Sequence, residues 1–352
     1  VASFGTLRVD CMKLKDVVRE VRTTYKGDMT NVPIVGLENI IPCEITFEKY
    51  MIDSESTFSK VFHKGQVLFG RRRAYQHKAA IAHIDGICSG DIMVLEAIPG
   101  KIEPNLLPFI IQNDDFFDYA IQHSEGGLSP RVKWSAIANY EFTLPSLSEQ
   151  KVLADKLWAA YRVKESYKKL LAATDDMLKA KFQEMFGEEG EIRSLCDICR
   201  PKQWPTIPTK DFTKDGYLVY GANGVIGKYK DYNHEMPTIL MACRGASCGA
   251  INVSLPKSYI TGNAMCLDDL CSDVVFEYLQ YYLTKYNYKG IITGGAQPQI
   301  TYTNLCKLLV PIPLKSIQEE FAKIFTQAEA TKESLRKSIE NIDQVIKSLI
   351  NQ

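Results

Sequence analysis

The sequence predicts an α+β protein built twice, with two mixed domains each followed by a long helix and the two helices pairing as a coiled coil. Three observations carry this reading. Residues 126–184 align without a gap on 294–352, so that Gly126 stands 168 residues before Gly294. GGLSPRVKWSAIANYEFTLPSLSEQ reads against GGAQPQITYTNLCKLLVPIPLKSIQ, and VKESYKK against TKESLRK; a repeat of this length ending in a helical pattern means duplicated architecture. Each copy closes on a proline-free stretch with apolar residues in alternating steps of four and three, the spacing of a coiled-coil seam. Each helix is preceded by short β-branched and aromatic runs broken by Gly, Pro and Asn, the pattern of short strands.

The elements follow in order. The first domain is expected over residues 1–143, with its strand-like runs from about Leu14 to Thr143. A helical spacer follows over 144–187, running from Gln150 to Phe186 and stopped by Gly187, with Ser146 and Glu149 at capping-box spacing before it. The second domain is expected over 188–311, and its spacer over 312–352 begins with the same spacing at Ser316 and Glu319. The two globular parts correspond loosely. Lys64–Arg71 matches Met236–Arg244 in character, and Gly86–Gly90 matches Ser258–Gly262.

In the second helix the seam is Phe321, Phe325, Ala328, Lys332, Leu335, Ile339, Ile342, Ile346 and Leu349; in the first it is Leu153, Leu157, Ala160, Lys164, Tyr167, Leu171, Thr174, Leu178 and Lys181. Equal lengths and matched interruptions favour pairing within one chain. Lys164 and Lys332 interrupt the seams at equivalent places, either to fix register or simply to snorkel. The residues leave parallel and antiparallel pairing open. We take the antiparallel arrangement, which makes the repeat a pseudo-two-fold.

Composition excludes several function classes. With 352 residues, 45% hydrophobic and 24% charged, the chain supports more than one core and has no disordered bias. Zero formal net charge argues against a protein that coats nucleic acid non-specifically. No apolar run approaches a membrane span, and the first residues, with Arg8, Asp10 and Lys13, lack a signal-peptide core, so a cytoplasmic location is expected. Ten cysteines without disulfide-framework spacing are expected to be reduced thiols. Cys196 and Cys199, with Cys243 and Cys248 as conceivable partners, make a weak zinc pattern, and no metal or cofactor is expected. Gly221, Gly224 and Gly227 lack dinucleotide-fingerprint spacing and read as a turn between strands. Tyr278, Tyr281, Tyr282, Tyr286 and Tyr288 resemble a stacking surface, but at helical spacing they read first as packing.

The order of domain, Leu144-Pro-x-Leu-x-Glu-Gln150, helix, domain, Ile312-Pro-Leu-x-x-Ile-Gln318, helix resembles the specificity subunit of type I restriction-modification systems. Tyr220-Gly-Ala-Asn-Gly-Val-Ile-Gly-Lys-Tyr229 is similar to a stretch common in their target-recognition domains, and Ile317 stands where an acidic residue is usual. The resemblance implies a non-catalytic DNA reader. Each domain would read one half of an interrupted target, and the paired helices would set the unread spacer. Two modification subunits carrying the methyltransferase chemistry, together with restriction subunits, would assemble on it. The motifs agree: no two prolines are adjacent, as the base-holding methyltransferase tetrad requires, and no Gly-x-x-x-x-Gly-Lys-Ser/Thr loop is present. The alternative is a duplicated scaffold that binds protein partners.

For double-stranded DNA the candidate contacts are Arg71, Arg72, Arg73, Gln76 and Lys78 after a strand, with Arg244 at the corresponding place in the second half. Arg suits guanine O6/N7 and Gln suits adenine N6/N7. A second set lies in the repeated Gly-Gly-x-x-Pro loops, Ser129 and Arg131 against Gln297 and Gln299.

Overall fold

A computed structural model describes residues 10–52, 56–187, 190–262, 264–295 and 297–351. Arg8, Ala296 of the second Gly-Gly loop and Gln352 at the end of the repeat lie outside the described residues. The chain divides into two units, residues 1–168 with 337–352, and residues 169–336.

In the first unit a four-stranded antiparallel sheet runs in the order Val18–Val21, Ile92–Ala97, Val67–Gly70, Ala79–Ile81. The second unit repeats it as Arg200–Lys202, Ala264–Asp268, Ile239–Ala242, Ile251–Val253. The registers agree as well: Leu68 faces Val94 in one sheet and Leu240 faces Cys266 in the other. The central strands are buried on both faces and are therefore continuous apolar runs. A smaller sheet in each unit contains one parallel pair, Ile34–Val35 with Gly86–Cys88 and Tyr217–Gly221 with Tyr259–Ile260. In the second unit Tyr217–Gly221 also forms a hairpin with Gly224–Tyr229, and Gly224 adopts a positive φ of 109° at the turn, which glycine takes without a Cβ penalty.

The repeated segment begins its helical part at a two-stranded ribbon, Asp10–Lys13 with Glu141–Leu144 in one unit and Glu191–Ser194 with Leu309–Ile312 in the other. The long helices run over Leu147–Phe186 and Lys315–Ile350. At the first, Ser146 N–H donates to Glu149 Oε2 at 3.0 Å and Glu149 N–H returns to Ser146 Oγ at 3.4 Å, closing the expected box. The second differs. Ser316 lies inside a helix that begins at Lys315, and by the repeat offset the box positions are Leu314 and Ile317, neither of which can cap.

A buried glutamine fixes each ribbon-to-helix junction. Gln150, 2% exposed, donates from Nε2 to Pro145 O at 2.9 Å and accepts from Glu103 N–H at 2.9 Å. Gln318, fully buried, donates to Pro313 O at 2.7 Å and Asp273 O at 3.1 Å and accepts from Val275 N–H at 2.8 Å. Gln is required because one side chain must satisfy a carbonyl and an amide together. This is the physical content of the Gln at the end of both Pro-to-helix motifs.

In each unit the helix segments pack antiparallel along the predicted seam. In the first unit Leu157, Tyr161 and Ile346 join one core with Phe109, Phe116 and Phe117. In the second, Leu178, Phe186, Phe321 and Phe325 join the tyrosines; Tyr278 is fully buried and donates to Pro311 O at 2.6 Å, so this cluster packs. Lys164 Nζ lies 2.7 Å from Asp343 Oδ1, and Lys332 Nζ lies 2.7 Å from Asp175 Oδ1. Asp343 stands 168 residues after Asp175, so this is one ion pair used twice. Both lysine side chains are about nine-tenths buried and held across the seam, which is a register device rather than snorkelling.

Two of the ten cysteines depart from expectation, and the other eight are free thiols as expected. Cys196 is bonded to Cys306, 110 residues away, with their Cα atoms 5.0 Å apart. The fold brings the start of one short helix beside the end of another, a proximity that spacing does not encode. Cys196 is thereby removed from the Cys-x-x-Cys zinc pattern.

Replacing Gln318 or Gln150 with Ala leaves buried backbone groups without partners, and each change is expected to destabilise its unit by about 1–3 kcal/mol. Urea unfolding measures the loss, and amide exchange localises it: the Val275 or Glu103 N–H should lose protection before the helix centres do.

Candidate nucleic-acid interface

In both units the strand carrying the basic residues ends against the repeated Gly-Gly loop. In the first, Val67–Gly70 runs into Arg71–Arg73, and Arg73 N–H donates to Pro130 O at 2.8 Å while Val132 N–H donates to Arg71 O at 3.0 Å. In the second, Gly245 N–H donates to Pro298 O at 2.9 Å and Ile300 N–H to Cys243 O at 2.9 Å. Isolated bridges join Arg72 to Arg131 and Arg244 to Gln299. Each unit thus brings together two candidate sets that lie some 55 residues apart in sequence. Gly126 and Gly294, with φ of 107° and 86°, make the turns that return each loop to its strand.

The side chains differ between the units. Arg72 donates from Nε to Ser129 Oγ at 2.5 Å and from Nη1 to Asp91 Oδ2 at 3.1 Å, and Arg131 Nε donates to Asp91 Oδ1 at 2.8 Å. Asp91 therefore clamps two of the candidate arginines. Burial would raise its pKa, but the bonds from Arg131 and Arg72 outweigh that, and its carboxyl sits below its ordinary value. Arg244, Gln297 and Gln299 are exposed, and among the described residues none has a side-chain hydrogen bond or ion pair.

The remaining candidates sit around the short turn Ala74–Gln76, flanked by Arg73 and His77 in the left-handed conformation. The Nε atoms of Arg71 and Arg73 are buried without a hydrogen-bond partner among the described residues. Arg71 lines a hollow of about 480 Å³ with Arg22, Lys60, Thr23, Thr24 and Ser59, where Glu20 holds Arg22 at 2.7 Å. Gln76 is half-buried beside the exposed Tyr75. Lys78 turns inward and donates to Leu37 O at 2.6 Å.

Two segments of the chain, residues 12–173 and 187–344, match the family described as the type I restriction modification DNA specificity domain. The chain belongs to this family. Type I specificity domains therefore occur in it twice, and it is a DNA sequence-specificity subunit. In fold it is similar to the type I restriction-modification S subunit from M. genitalium, with a TM-score of 0.67 at 12% identity over 100% of this chain and 97% of that one. It is also similar to a chain from a study of complex assembly and conformational transition of the type I R-M system, with a TM-score of 0.54 at 18% identity over 98% of this chain and 97% of that one. No curated protein matches it in sequence. Among the described residues no helix is long and apolar enough to cross a membrane.

Sequence reasoning missed Asp91 in this specificity subunit. It is a lone acidic residue after Gly90, and no local pattern ties it to arginines 19 and 40 positions away. Because its folded pKa lies below the unfolded value of about 3.9, the clamp is fully present above that value and is lost as pH falls through the folded pKa. The protons that Asp91 accepts, Nη1–H of Arg72 and Nε–H of Arg131, should keep their hydrogen-bonded chemical shifts down to about pH 4 and move together below it. In Asp91→Asn both should already be displaced at neutral pH.

Proposed function

We propose that each unit's strand-to-loop crossing reads one half of a bipartite duplex target and that the two long helices set the length of the unread spacer between the halves. The observation that carries this reading is the repetition of the crossing itself: equivalent hydrogen bonds hold Arg71–Arg73 to Pro130 and Gly245 to Pro298, presenting Arg72, Ser129 and Arg131 in one unit and Arg244, Gln297 and Gln299 in the other. Long polar side chains held on a backbone braced at two points suit base-edge readout, where geometry decides specificity. The recognition domains are residues 1–143 and 188–311, with residues 144–187 and 312–352 as the helical spacers. Arg71, Arg73 and Gln76 extend the first domain's set of contacts, and Lys78, bonded inward to Leu37 O, supports the turn that carries them.

The subunit itself is non-catalytic in this reading. The chain has no adjacent prolines for a methyltransferase tetrad and no phosphate-binding loop, so methyl transfer and translocation belong to two modification subunits and to restriction subunits that assemble with it in the cytoplasm.

Arg244→Ala should weaken binding to the specific duplex by about 1–3 kcal/mol and relax preference at a single position of one half-site. Fluorescence anisotropy on specific and unrelated duplexes checks this. An equal loss on both would make Arg244 a phosphate contact, and no loss would remove it from the interface.

Deleting one heptad from both helices shortens them by about 10 Å, or roughly three base pairs of axial rise. Methylome sequencing of a host expressing the variant with its modification subunit should find the same two half-sites with a shorter spacer. Altered half-sites with an unchanged spacer would end the ruler reading.

A further inference from the structure

In the second unit His234, Cys266 and Asp268 converge, with one ligand atom from each lying within 4.8 Å of the others and all three side chains buried. Cys266 and Asp268 are two apart on the strand Ala264–Asp268, so both side chains leave the same face of the sheet. His234 reaches that face from the loop before Ile239–Ala242, and its backbone is fastened by reciprocal bonds of 3.1 Å with Ser258.

The hydrogen bonds around the imidazole fix its chemistry. Asn233 Oδ1 accepts the Ile260 N–H at 2.8 Å, and Asn233 Nδ2 donates to Ile260 O at 3.0 Å, so the oxygen is the atom that faces His234 Nδ1 at 2.7 Å. Nδ1 must therefore carry a proton and donate. The lone pair of Nε2 is then directed at Asp268 Oδ1, 3.0 Å away. Two acceptors cannot face one another at that distance unless a cation, either a proton or a metal ion, lies between them. Asp268 is held for the purpose from its other side, where Trp204 Nε1 donates to Oδ2 at 3.0 Å. An imidazole whose far nitrogen is bonded to an amide oxygen, and a carboxylate steered by a second donor, are the supports that metal-ligating side chains ordinarily have.

We infer that His234 Nε2, Cys266 Sγ and Asp268 Oδ1 form a binding site for a zinc-class divalent cation that exchanges with the proton between His234 and Asp268. Imidazole, thiolate and carboxylate together suit zinc or cobalt rather than magnesium or calcium. Tetrahedral zinc with its usual bond lengths sets nitrogen and oxygen ligands about 3.3 Å apart, so the pair need open only slightly to admit the ion. Water takes the fourth position. The proton count follows: one leaves the His234–Asp268 pair and one leaves the Cys266 thiol, so each metal ion bound releases two protons. The site lies toward the Asp268 end of its strand, whereas Ala264 at the other end pairs with Ala242 beside Arg244. The metal thus fastens the Asn233–His234 loop to the sheet and makes no contact with the reading surface.

The test uses the full-length chain stripped of metal by a chelator and titrated with Co²⁺, then with Zn²⁺. One Co²⁺ per chain should bind with a thiolate-to-cobalt charge-transfer band. The band should be abolished in Cys266→Ser and retained in Cys43→Ser. Asp268→Asn, which keeps an acceptor for Trp204, should weaken Zn²⁺ binding at least tenfold. Calorimetry of Zn²⁺ binding in buffers of different protonation enthalpy should return two protons released per ion. Absence of the band in the unmodified chain, a band of equal strength in Cys266→Ser, or metal uptake without proton release would each overturn the site. Should Cys266→Ser lose its fold by circular dichroism, the Asp268→Asn affinity and the proton count decide the matter. None of these readouts involves DNA, so failure here leaves the DNA-reading proposal untouched.

Discussion

A lysine ammonium buried in a helix seam must find a carboxylate, because leaving it unpaired in a low-dielectric interior costs several kcal/mol. Across the seam Lys164 meets this demand with Asp343 and Lys332 with Asp175, while Glu329 of its own helix also pairs with Lys332 and Glu44 lies 4.0 Å from Lys164. Since the helices are copies, parallel pairing in matched register would set Lys164 against Lys332. Antiparallel pairing brings each lysine to the aspartate of the other copy instead. One lysine and one aspartate per repeat therefore select orientation and register together, and the apolar seam, which alone would tolerate a slip of one heptad, is pinned by them.

The glutamine junctions carry that register into the domains. Gln150 and Gln318 each join the proline before the helix to a backbone amide at the start of a neighbouring segment, Glu103 or Val275. A shift of either helix would break both bonds within a buried site. The ribbons that precede the helices, and through them the sheets, are held to the seam by a side chain rather than by a flexible linker. The absence of a capping box at the second helix matters little, because Gln318 meets the more costly requirement of satisfying buried backbone groups.

Upon this duplicated frame the two strand-to-loop crossings carry different chemistry. The first gathers several arginines and moderates them with Asp91, which accepts from Arg72 and Arg131 and orients both. The second presents Arg244 and two glutamines in the open. A clamped guanidinium has already lost most of its conformational freedom, whereas the exposed Arg244 keeps its own. The crossing of strand and loop is common to both; the residues on it are not.

The sequence alone determined what depends on period and repetition: two copies, two long helices, the seam residues, the positions of the interrupting lysines and the central strands, all signals contained within a few turns of chain. It also placed Arg71–Arg73 and Arg244 at corresponding strand ends and the Gly-Gly loops at equivalent positions. Only the tertiary structure decided what depends on contacts between distant residues. It joined each basic segment to its loop, gave Asp91 its two arginines and Lys164 and Lys332 their aspartates, and bonded Cys196 to Cys306 across 110 residues. It also gathered His234, Cys266 and Asp268, which no ligand spacing connects. Local pattern reports the face a residue presents; which residue meets it there is settled by how the chain returns, and that information is spread over the whole fold.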